Sequence, residues 1–202
     1  MLYNEEPKPR IMYSPPISDT KPRVIEPKPP VTRQVKNNTI ENVSKDWLPA
    51  AGLEKGWTAI VVHHSATDSG NAAIFDEWHR EGNNWDGVGY DFVIGNGTNS
   101  GDGEIEVTYR WQQQKTGAHC GGTPGNWANK DAVGVCLVGN FDNEEPTPRQ
   151  MQSLARLVRF LQKRYDIPQN RIYGHGTTPG ARITDCPGRR FPMAKFKSML
   201  SG

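Results

Sequence analysis

The sequence predicts an α/β protein: a single domain with a central mixed β-sheet flanked by helices, preceded by an extended proline-rich N-terminal segment. Two observations support this fold class. Apolar runs of strand length alternate with helical patterns beyond about residue 46. Nine of the 16 prolines lie in the first 50 residues, whereas all 21 glycines follow residue 50. We therefore divide the chain into an extended segment, residues 1–46, and a folded domain, residues 47–202.

Proline dominates the stretch from residue 7 to residue 30, with charges of both signs between the rings. Proline fixes φ and removes a hydrogen-bond donor, so neither a helix nor a sheet suits this stretch. We expect an extended, polyproline-like and semi-rigid conformation. Its composition favours a spacer that holds the domain away from an anchor or another module, and the alternative is a tail without a role.

Local patterns predict four strands and one helix in the first part of the domain. Residues 59–62 form a short β-branched run, which is typical of a buried strand. Residues 71–80 carry apolar side chains at the spacing of one helical face. Residues 90–94 predict a strand that ends at an Asn-Gly turn. The alternating residues 105–109 and the apolar run 132–138 predict two further strands.

The clearest helix signal spans residues 147–165. Thr147 is suited to the N-cap, a proline follows it at the first helical position, and Gln150 completes a capping box. Leucine, methionine and valine side chains then recur on one face. Residues 171–173 predict a short strand that leads into a Gly-His pair, and residues 192–200 predict a last helix. Strands and helices therefore intermix around one sheet.

Overall composition excludes several classes of partner. The formal net charge is only +2, which provides no strong field for nucleic acid or an anionic membrane. No apolar run approaches the roughly 20 residues of a membrane-spanning helix. The opening residues lack the basic start and apolar stretch of a secretory signal.

The cysteine content does not predict a disulfide framework. There are three cysteines, Cys120, Cys136 and Cys186, and only one pair can form.

Two histidines lie where predicted strands end. His63 follows the first predicted strand, and His175 follows the short strand before a loop of glycines and prolines. Alternation along a strand places His63 and His64 on opposite faces, so only one of them can readily face a shared ligand. Cys186 lies in that loop, which can fold back to the strand end. Two imidazoles and one thiolate suit a catalytic zinc, which leaves a fourth position for water. The alternative is that these histidines are ordinary core or surface residues.

Six motifs occur in an order that is typical of one protein family. In chain order they are VVHHSAT (61–67), GYDFVI (89–94), GAH (117–119), VGVCLVGNF (133–141), GH (174–175) and TDCPG (184–188). In these motifs the sequence resembles the N-acetylmuramoyl-L-alanine amidase type 2 family, which includes phage lysozyme-type amidases and the peptidoglycan recognition proteins. The resemblance spans about residues 57–192 and leaves the proline-rich segment uncovered.

The resemblance implies a role for five residues at a zinc site. His63, His175 and Cys186 correspond to the family's three Zn²⁺ ligands. Tyr90 corresponds to a tyrosine that lines the metal site. Thr184, two residues before Cys186, corresponds to a Lys or Thr that can donate a hydrogen bond to an oxyanion. The implied catalytic residues are therefore Tyr90 and Thr184.

Three further side chains are candidates for contacts with substrate. His119 corresponds to a histidine of the family's cleft, and the alternative is a surface-loop histidine. Trp85 and Trp127 lie in loops rich in glycine and asparagine, where they can stack on sugar rings or cover a peptide, or else pack on the domain. His79 falls within a predicted helix, where we expect a surface position.

The activity implied by the resemblance is zinc-dependent hydrolysis of the amide bond between N-acetylmuramic acid and L-alanine in the peptidoglycan stem peptide. The alternative is a non-catalytic peptidoglycan-binding recognition module, because some recognition proteins of the family hold peptidoglycan without cutting it. The expected partner is peptidoglycan or a muropeptide, with no nucleic acid and no transmembrane segment in this chain. We expect a monomer that acts in the cell envelope, either periplasmic or secreted.

Overall fold

The computed structural model describes residues 44–201, so the predicted conformation of residues 1–43 lies outside the described part. Five strands form one sheet: β1 Ala59–His64, β2 Phe92–Ile94, β3 Ile105–Val107, β4 Ala132–Leu137 and β5 Ile172–Gly174. Their order across the sheet is β3-β2-β4-β1-β5. Every neighbouring pair is parallel except β2 and β3, which are antiparallel. The predicted mixed sheet is therefore confirmed.

Five α-helices accompany the sheet within the described residues. They are α1 Ala72–Asn83, α2 Tyr109–Gln112, α3 Trp127–Asp131, α4 Pro148–Tyr165 and α5 Met193–Met199. Helices α1, α4 and α5 are those that the sequence predicts. The short helices α2 and α3 have no counterpart in the prediction, because one turn carries too little periodicity. The strand predicted at 105–109 ends at Val107, and Tyr109 begins α2. No helix in this part of the chain has the length and apolarity to cross a membrane.

Helix α4 packs on one face of the sheet. Its N-terminus has the predicted capping box: the Thr147 side chain accepts from the Gln150 amide at 3.0 Å, and the Gln150 side chain accepts from the Thr147 amide at 3.1 Å. The Gln150 amide group also donates to the carbonyls of Ile94 at 3.2 Å and Val138 at 2.8 Å. These bonds fasten the start of the helix to the ends of β2 and β4, and its apolar face then packs against the sheet in the main core.

Alternation along β1 separates the two sides of the sheet. Val62 packs in the core cluster that contains the apolar face of α4, whereas Val61 packs in a cluster on the opposite face with a residue of α3. His64 continues the first set, and its ring centroid lies 5.9 Å from that of Phe141 in the same core. The predicted separation of His63 and His64 is therefore confirmed. The face opposite α4 carries His63.

The folded core begins before β1. Residues Lys45–Trp47 form a 3-10 helix, and the Trp47 side chain is only 3% exposed. Its ring centroid lies 5.6 Å from that of Phe160, and its carbonyl accepts a hydrogen bond from the Trp111 indole at 2.9 Å. The first residue of the predicted domain, 47–202, is therefore part of the core, and the boundary itself stays a prediction.

Candidate metal centre

Parallel pairing of β1 and β5 brings two histidines together. Val62 lies opposite Gly174 in the register, so His63 and His175 follow at the same edge of the sheet. The centroids of their imidazole rings are 4.8 Å apart. His63 is 1% exposed, and His175 is half-buried. The sheet thus holds both rings at one rigid edge.

The loop after β5 returns Cys186 to this edge. The Gly176 amide donates to the Cys186 carbonyl at 2.7 Å. A Cβ on Gly176 would lie 2.3 Å from the carbonyl oxygen of Thr184, so this close approach requires glycine. Gly174 is similarly constrained, since its Cβ would lie 2.7 Å from the Pro187 ring. The loop therefore folds back to the strand end, as its composition predicts.

The donor atoms of His63, His175 and Cys186 all lie within 4.8 Å of one another. Cys186 Sγ is 3.6 Å from His63 Nδ1; zinc bond lengths place ligand atoms roughly 3.5 Å apart in a tetrahedron. His175 Nε2 is buried and has no hydrogen-bond partner among residues 44–201, which is costly unless a ligand completes it. Within the same residues no fourth His, Cys, Asp or Glu joins the group. The donor set therefore fits a zinc ion with one position left for solvent.

Burial controls the protonation of these three side chains. Desolvation lowers the pKa of His63 well below its usual value, and the neighbouring His175 is the next largest cause. Desolvation also lowers the pKa of His175 to about 4, so both imidazoles are neutral at pH 7 and have a lone pair for a metal. Burial raises the pKa of Cys186 to about 12, so this thiol keeps its proton unless a cation displaces it. Binding of a divalent cation would therefore release a proton.

The two residues predicted to be catalytic lie beside the three candidate metal ligands. The ring centroid of Tyr90 is 5.2 Å from that of His63. Thr184 Oγ1 accepts from the Cys186 amide at 3.2 Å, which leaves its hydroxyl proton for another partner. Both side chains are half-buried. Their catalytic roles stay predictions.

The three predicted substrate contacts lie in different environments. His119 lies against the candidate ligand His63: its Nδ1 is 3.1 Å from His63 Nε2, and the side chain is only 7% exposed. Trp85 is half-buried against a histidine of α1, with ring centroids 5.0 Å apart. The Trp127 indole donates to the Pro179 carbonyl at 3.3 Å, so Trp127 contacts the loop that follows β5. The structure thus joins His119 directly to the centre, and all three roles toward substrate stay predictions.

His79 is buried, so the expected surface position is wrong. It lies one helical turn after the buried Phe75 on α1 and is 8% exposed. Its Nδ1 accepts from the Gly89 amide at 3.0 Å, and its ring centroid lies 5.8 Å from that of Tyr90. Burial lowers the pKa of His79 to about 4, so the ring is neutral and supports the segment that carries Tyr90. The spacing of four residues from Phe75 was the signal for a buried face.

Arg110 is a second supporting residue, and no sequence pattern marks it. Its side chain is buried and donates to the Thr116 carbonyl at 2.6 Å and to the carboxylate of Asp86. These two contacts join the segments that lead into Tyr90 and into His119. Arg110 also donates to the carbonyls of the buried residues Gly87 and Val88, so its removal would leave buried acceptors unsatisfied.

Known proteins are similar to this chain in both sequence and fold. The N-acetylmuramoyl-L-alanine amidase family model matches residues 54–189. The chain is similar to the endolysin of Escherichia phage T7, with 36% identity over 137 residues that cover 64% of this chain and 79% of that protein.

Two solved structures extend the comparison. The N-acetylmuramoyl-L-alanine amidase LysC from Clostridium intestinale URNW is 32% identical, with a TM-score of 0.61 and coverage of 72% of this chain and 86% of that chain. A mutant of Drosophila PGRP-LB in complex with tracheal cytotoxin is 25% identical, with a TM-score of 0.54 and coverage of 71% and 82%. With the matched residues spanning most of the described part, the chain belongs to the N-acetylmuramoyl-L-alanine amidase type 2 family.

Proposed function

We propose that this protein is a zinc-dependent N-acetylmuramoyl-L-alanine amidase, which hydrolyses the amide bond between N-acetylmuramic acid and L-alanine of the peptidoglycan stem peptide. One observation carries the proposal. Two imidazoles and a thiol converge within 4.8 Å, and the buried His175 Nε2 has no other partner among the described residues. This donor set suits a catalytic zinc site, and the family supports the substrate class.

Each residue of the centre has a separate task in this hydrolysis. His63, His175 and Cys186 would hold the zinc ion. When bound, zinc supplies a Lewis acid and lowers the pKa of a coordinated water to about 7. Thr184 has a hydroxyl proton to donate to the oxygen of the scissile amide as negative charge develops there, and the Tyr90 hydroxyl is the second candidate donor. Loss of one such donor typically costs roughly 3–4 kcal/mol.

The leaving amine of L-alanine needs a proton. Burial lowers the pKa of His63 and of His175, so neither imidazole is a proton donor at pH 7. Tyr90 is half-buried beside the ligands, and a water molecule can connect its hydroxyl to the departing nitrogen. We therefore assign this proton transfer to Tyr90 through water, and the proton released by the water that adds to the carbonyl restores the Tyr90 hydroxyl.

The alternative is a peptidoglycan-binding recognition module without catalysis. The related mutant of Drosophila PGRP-LB was solved in complex with tracheal cytotoxin, so a member of this fold holds such a ligand. The complete donor set of this chain favours the enzyme, because binding alone does not need two imidazoles and a thiol at one point. We propose that the enzyme acts as a monomer on peptidoglycan or muropeptides in the cell envelope.

Metal analysis and product analysis test the proposal together. We expect about one zinc per chain, and mass spectrometry of digested peptidoglycan should find stem peptides that begin with a free L-alanine. Cys186→Ala should lose zinc and activity together, whereas the matched change Cys120→Ala should keep both, since Cys120 is outside the donor set. Activity of a metal-free Cys186→Ala protein would rule out the proposal. Zinc-loaded wild-type protein that binds muropeptides without cutting them would establish the recognition module.

A further inference from the structure

The ring of His119 lies in a slot that the backbone builds for it. A Cβ on Gly117 or on Gly134 would each lie 2.5 Å from the Cδ2 atom of His119, so only glycine at both positions leaves room for the imidazole. The Asn129 side-chain oxygen accepts from the backbone amides of His119 at 2.8 Å and Cys120 at 2.9 Å. Both the backbone and the ring of His119 are therefore held in place. A side chain that reorients toward a substrate would need more freedom.

The two ring nitrogens of His119 have different partners. Nε2 lies 3.3 Å from the carbonyl oxygen of Ala132, and Nδ1 lies 3.1 Å from His63 Nε2. A carbonyl only accepts, so Nε2 of His119 must carry the hydrogen, and a neutral imidazole then has its lone pair on Nδ1. That lone pair requires a hydrogen on His63 Nε2. His63 Nδ1 is therefore left with its lone pair, and this atom lies 3.6 Å from Cys186 Sγ.

The opposite arrangement of hydrogens is unfavourable. A hydrogen on His119 Nδ1 would leave the Nε2 lone pair against the lone pairs of the Ala132 carbonyl in a buried place. It would also allow the hydrogen of His63 to occupy Nδ1, the atom that must bind metal. A doubly protonated ring does not resolve the conflict, because a charged imidazolium on a side chain that is only 7% exposed is costly.

We propose that His119 is a positioning residue, which holds His63 as the tautomer with hydrogen on Nε2 and so presents Nδ1 to the metal. The inference rests on the proposed zinc function, and it gives His119 a role different from substrate contact. A side chain that hydrogen-bonds to the second nitrogen of a metal-binding histidine orients its ring and selects its tautomer, and its loss typically weakens metal binding about 10- to 100-fold. Here the partner is a second imidazole with its own backbone anchor, Ala132.

A pair of variants of similar shape separates hydrogen bonding from packing. His119→Asn can place its side-chain oxygen near the former Nδ1 and accept from His63, whereas His119→Leu has a similar branched shape without an acceptor. We expect the Leu variant to bind zinc about 10- to 100-fold more weakly in a competition titration, and the Asn variant to stay within about threefold of wild type. Equal weakening in both variants, or no weakening in the Leu variant, would overturn the proposal.

Nitrogen-15 NMR of the metal-free wild-type protein tests the tautomer without any variant. We expect His63 to carry its hydrogen on Nε2, and a spectrum with the hydrogen on Nδ1 would overturn the proposal even if the Leu variant fails to fold. The proposed function fails separately. If wild-type protein binds no zinc while His63 has the expected tautomer, the zinc amidase is wrong and the hydrogen-bonded pair stands.

Discussion

Tyr90 and Thr184 border the centre from different segments, and their loss should have different effects. Tyr90 contacts His63 through its ring, with centroids 5.2 Å apart, and its hydroxyl is the group proposed to act in catalysis. Thr184 has two connections, because its Oγ1 also accepts from the amide of the candidate ligand Cys186 at 3.2 Å. The hydroxyl of Tyr90 is therefore separable from metal binding, and that of Thr184 is not.

Tyr90→Phe keeps the ring and removes only the hydroxyl. We expect kcat to fall roughly 100- to 1000-fold, the cost of one lost transition-state donor, while zinc affinity stays at the wild-type value. Thr184→Val should lower both kcat and zinc affinity. Steady-state kinetics on a soluble muropeptide and a zinc competition titration measure the two quantities. A Tyr90→Phe protein that loses zinc would contradict the separation.

Asp91, next to Tyr90, is a buried carboxyl with an incomplete set of partners. Its Oδ2 accepts from the Gly134 amide at 2.8 Å, whereas Oδ1 has no hydrogen-bond partner among the described residues. Burial raises the pKa of Asp91 from 3.8 to about 7, against the opposing effects of the Gly134 bond, Lys55 and Arg110. Between about pH 4 and pH 7 the folded protein keeps this proton and the unfolded chain releases it, so the contribution of Asp91 to stability falls as pH rises.

Asp91→Asn removes this titration and keeps an oxygen for the Gly134 amide. We expect the free energy of unfolding of the variant, relative to wild type, to rise between about pH 4 and pH 7 and then to level off. The rise should be at most about 4 kcal/mol, because a pKa difference of one between the folded and unfolded states corresponds to about 1.4 kcal/mol. Urea denaturation at a series of pH values measures it. A difference between the two proteins that does not change with pH would show that Asp91 is ionised in the folded state.

The loop that follows β5 depends on close backbone contact. Gly176 donates to the Cys186 carbonyl, and its missing Cβ leaves room for the carbonyl of Thr184. The loop therefore holds Cys186 in place through the backbone of Gly176, the residue that follows His175. A defect at Gly176 should displace Cys186 and Thr184 together, because both lie on the stretch that Gly176 touches.

Gly176→Ala should weaken zinc binding and lower the free energy of unfolding, because the new methyl group would lie 2.3 Å from a backbone oxygen. We expect a loss of stability of about 1–3 kcal/mol. Gly82→Ala is the matched change, since a Cβ there meets no atom within 4 Å and the residue lies inside α1. That control should bind zinc normally and gain up to about 1 kcal/mol from helix propensity. Normal zinc binding by Gly176→Ala would show that the loop does not need the close contact.

Trp47 is the first buried residue in the described part of the molecule. This residue precedes every strand, yet its ring packs against Phe160 of α4 and its carbonyl bonds the indole of Trp111. The neighbouring Leu48 is 44% exposed. The segment before β1 therefore contributes to the stability of the domain, and Trp47 is its first buried side chain.

Trp47→Ala should cost about 3–5 kcal/mol of unfolding free energy, the usual effect of removing a large buried aromatic side chain. Leu48→Ala is the adjacent control and should change stability by less than about 0.5 kcal/mol. Chemical denaturation of both variants gives the comparison. If both variants lose similarly little unfolding free energy, Trp47 lies outside the part of the domain that unfolds cooperatively.

Much of the fold was predictable because its signals are local. Helix α4 follows from a capping box and an apolar face within one segment, and β1 and β4 follow from short apolar runs. The grouping of His63, His175 and Cys186 was predictable only in part from local patterns, two strand ends and a glycine-rich loop, and the resemblance to a known family supplied the rest. The signals for the helix and the strands lie in neighbouring residues, so they need no knowledge of distant contacts.

The environments of His79 and His119 were not predictable in the same way. The partner of His119 is His63, 56 residues away, and the slot around its ring depends on Gly134 in another strand. Sequence alone states that a histidine is present, but its burial, its pKa and the nitrogen that carries its hydrogen all depend on which distant groups pack against it. Chain folding brings those groups together, and for that reason the chemistry of the centre emerges only in three dimensions.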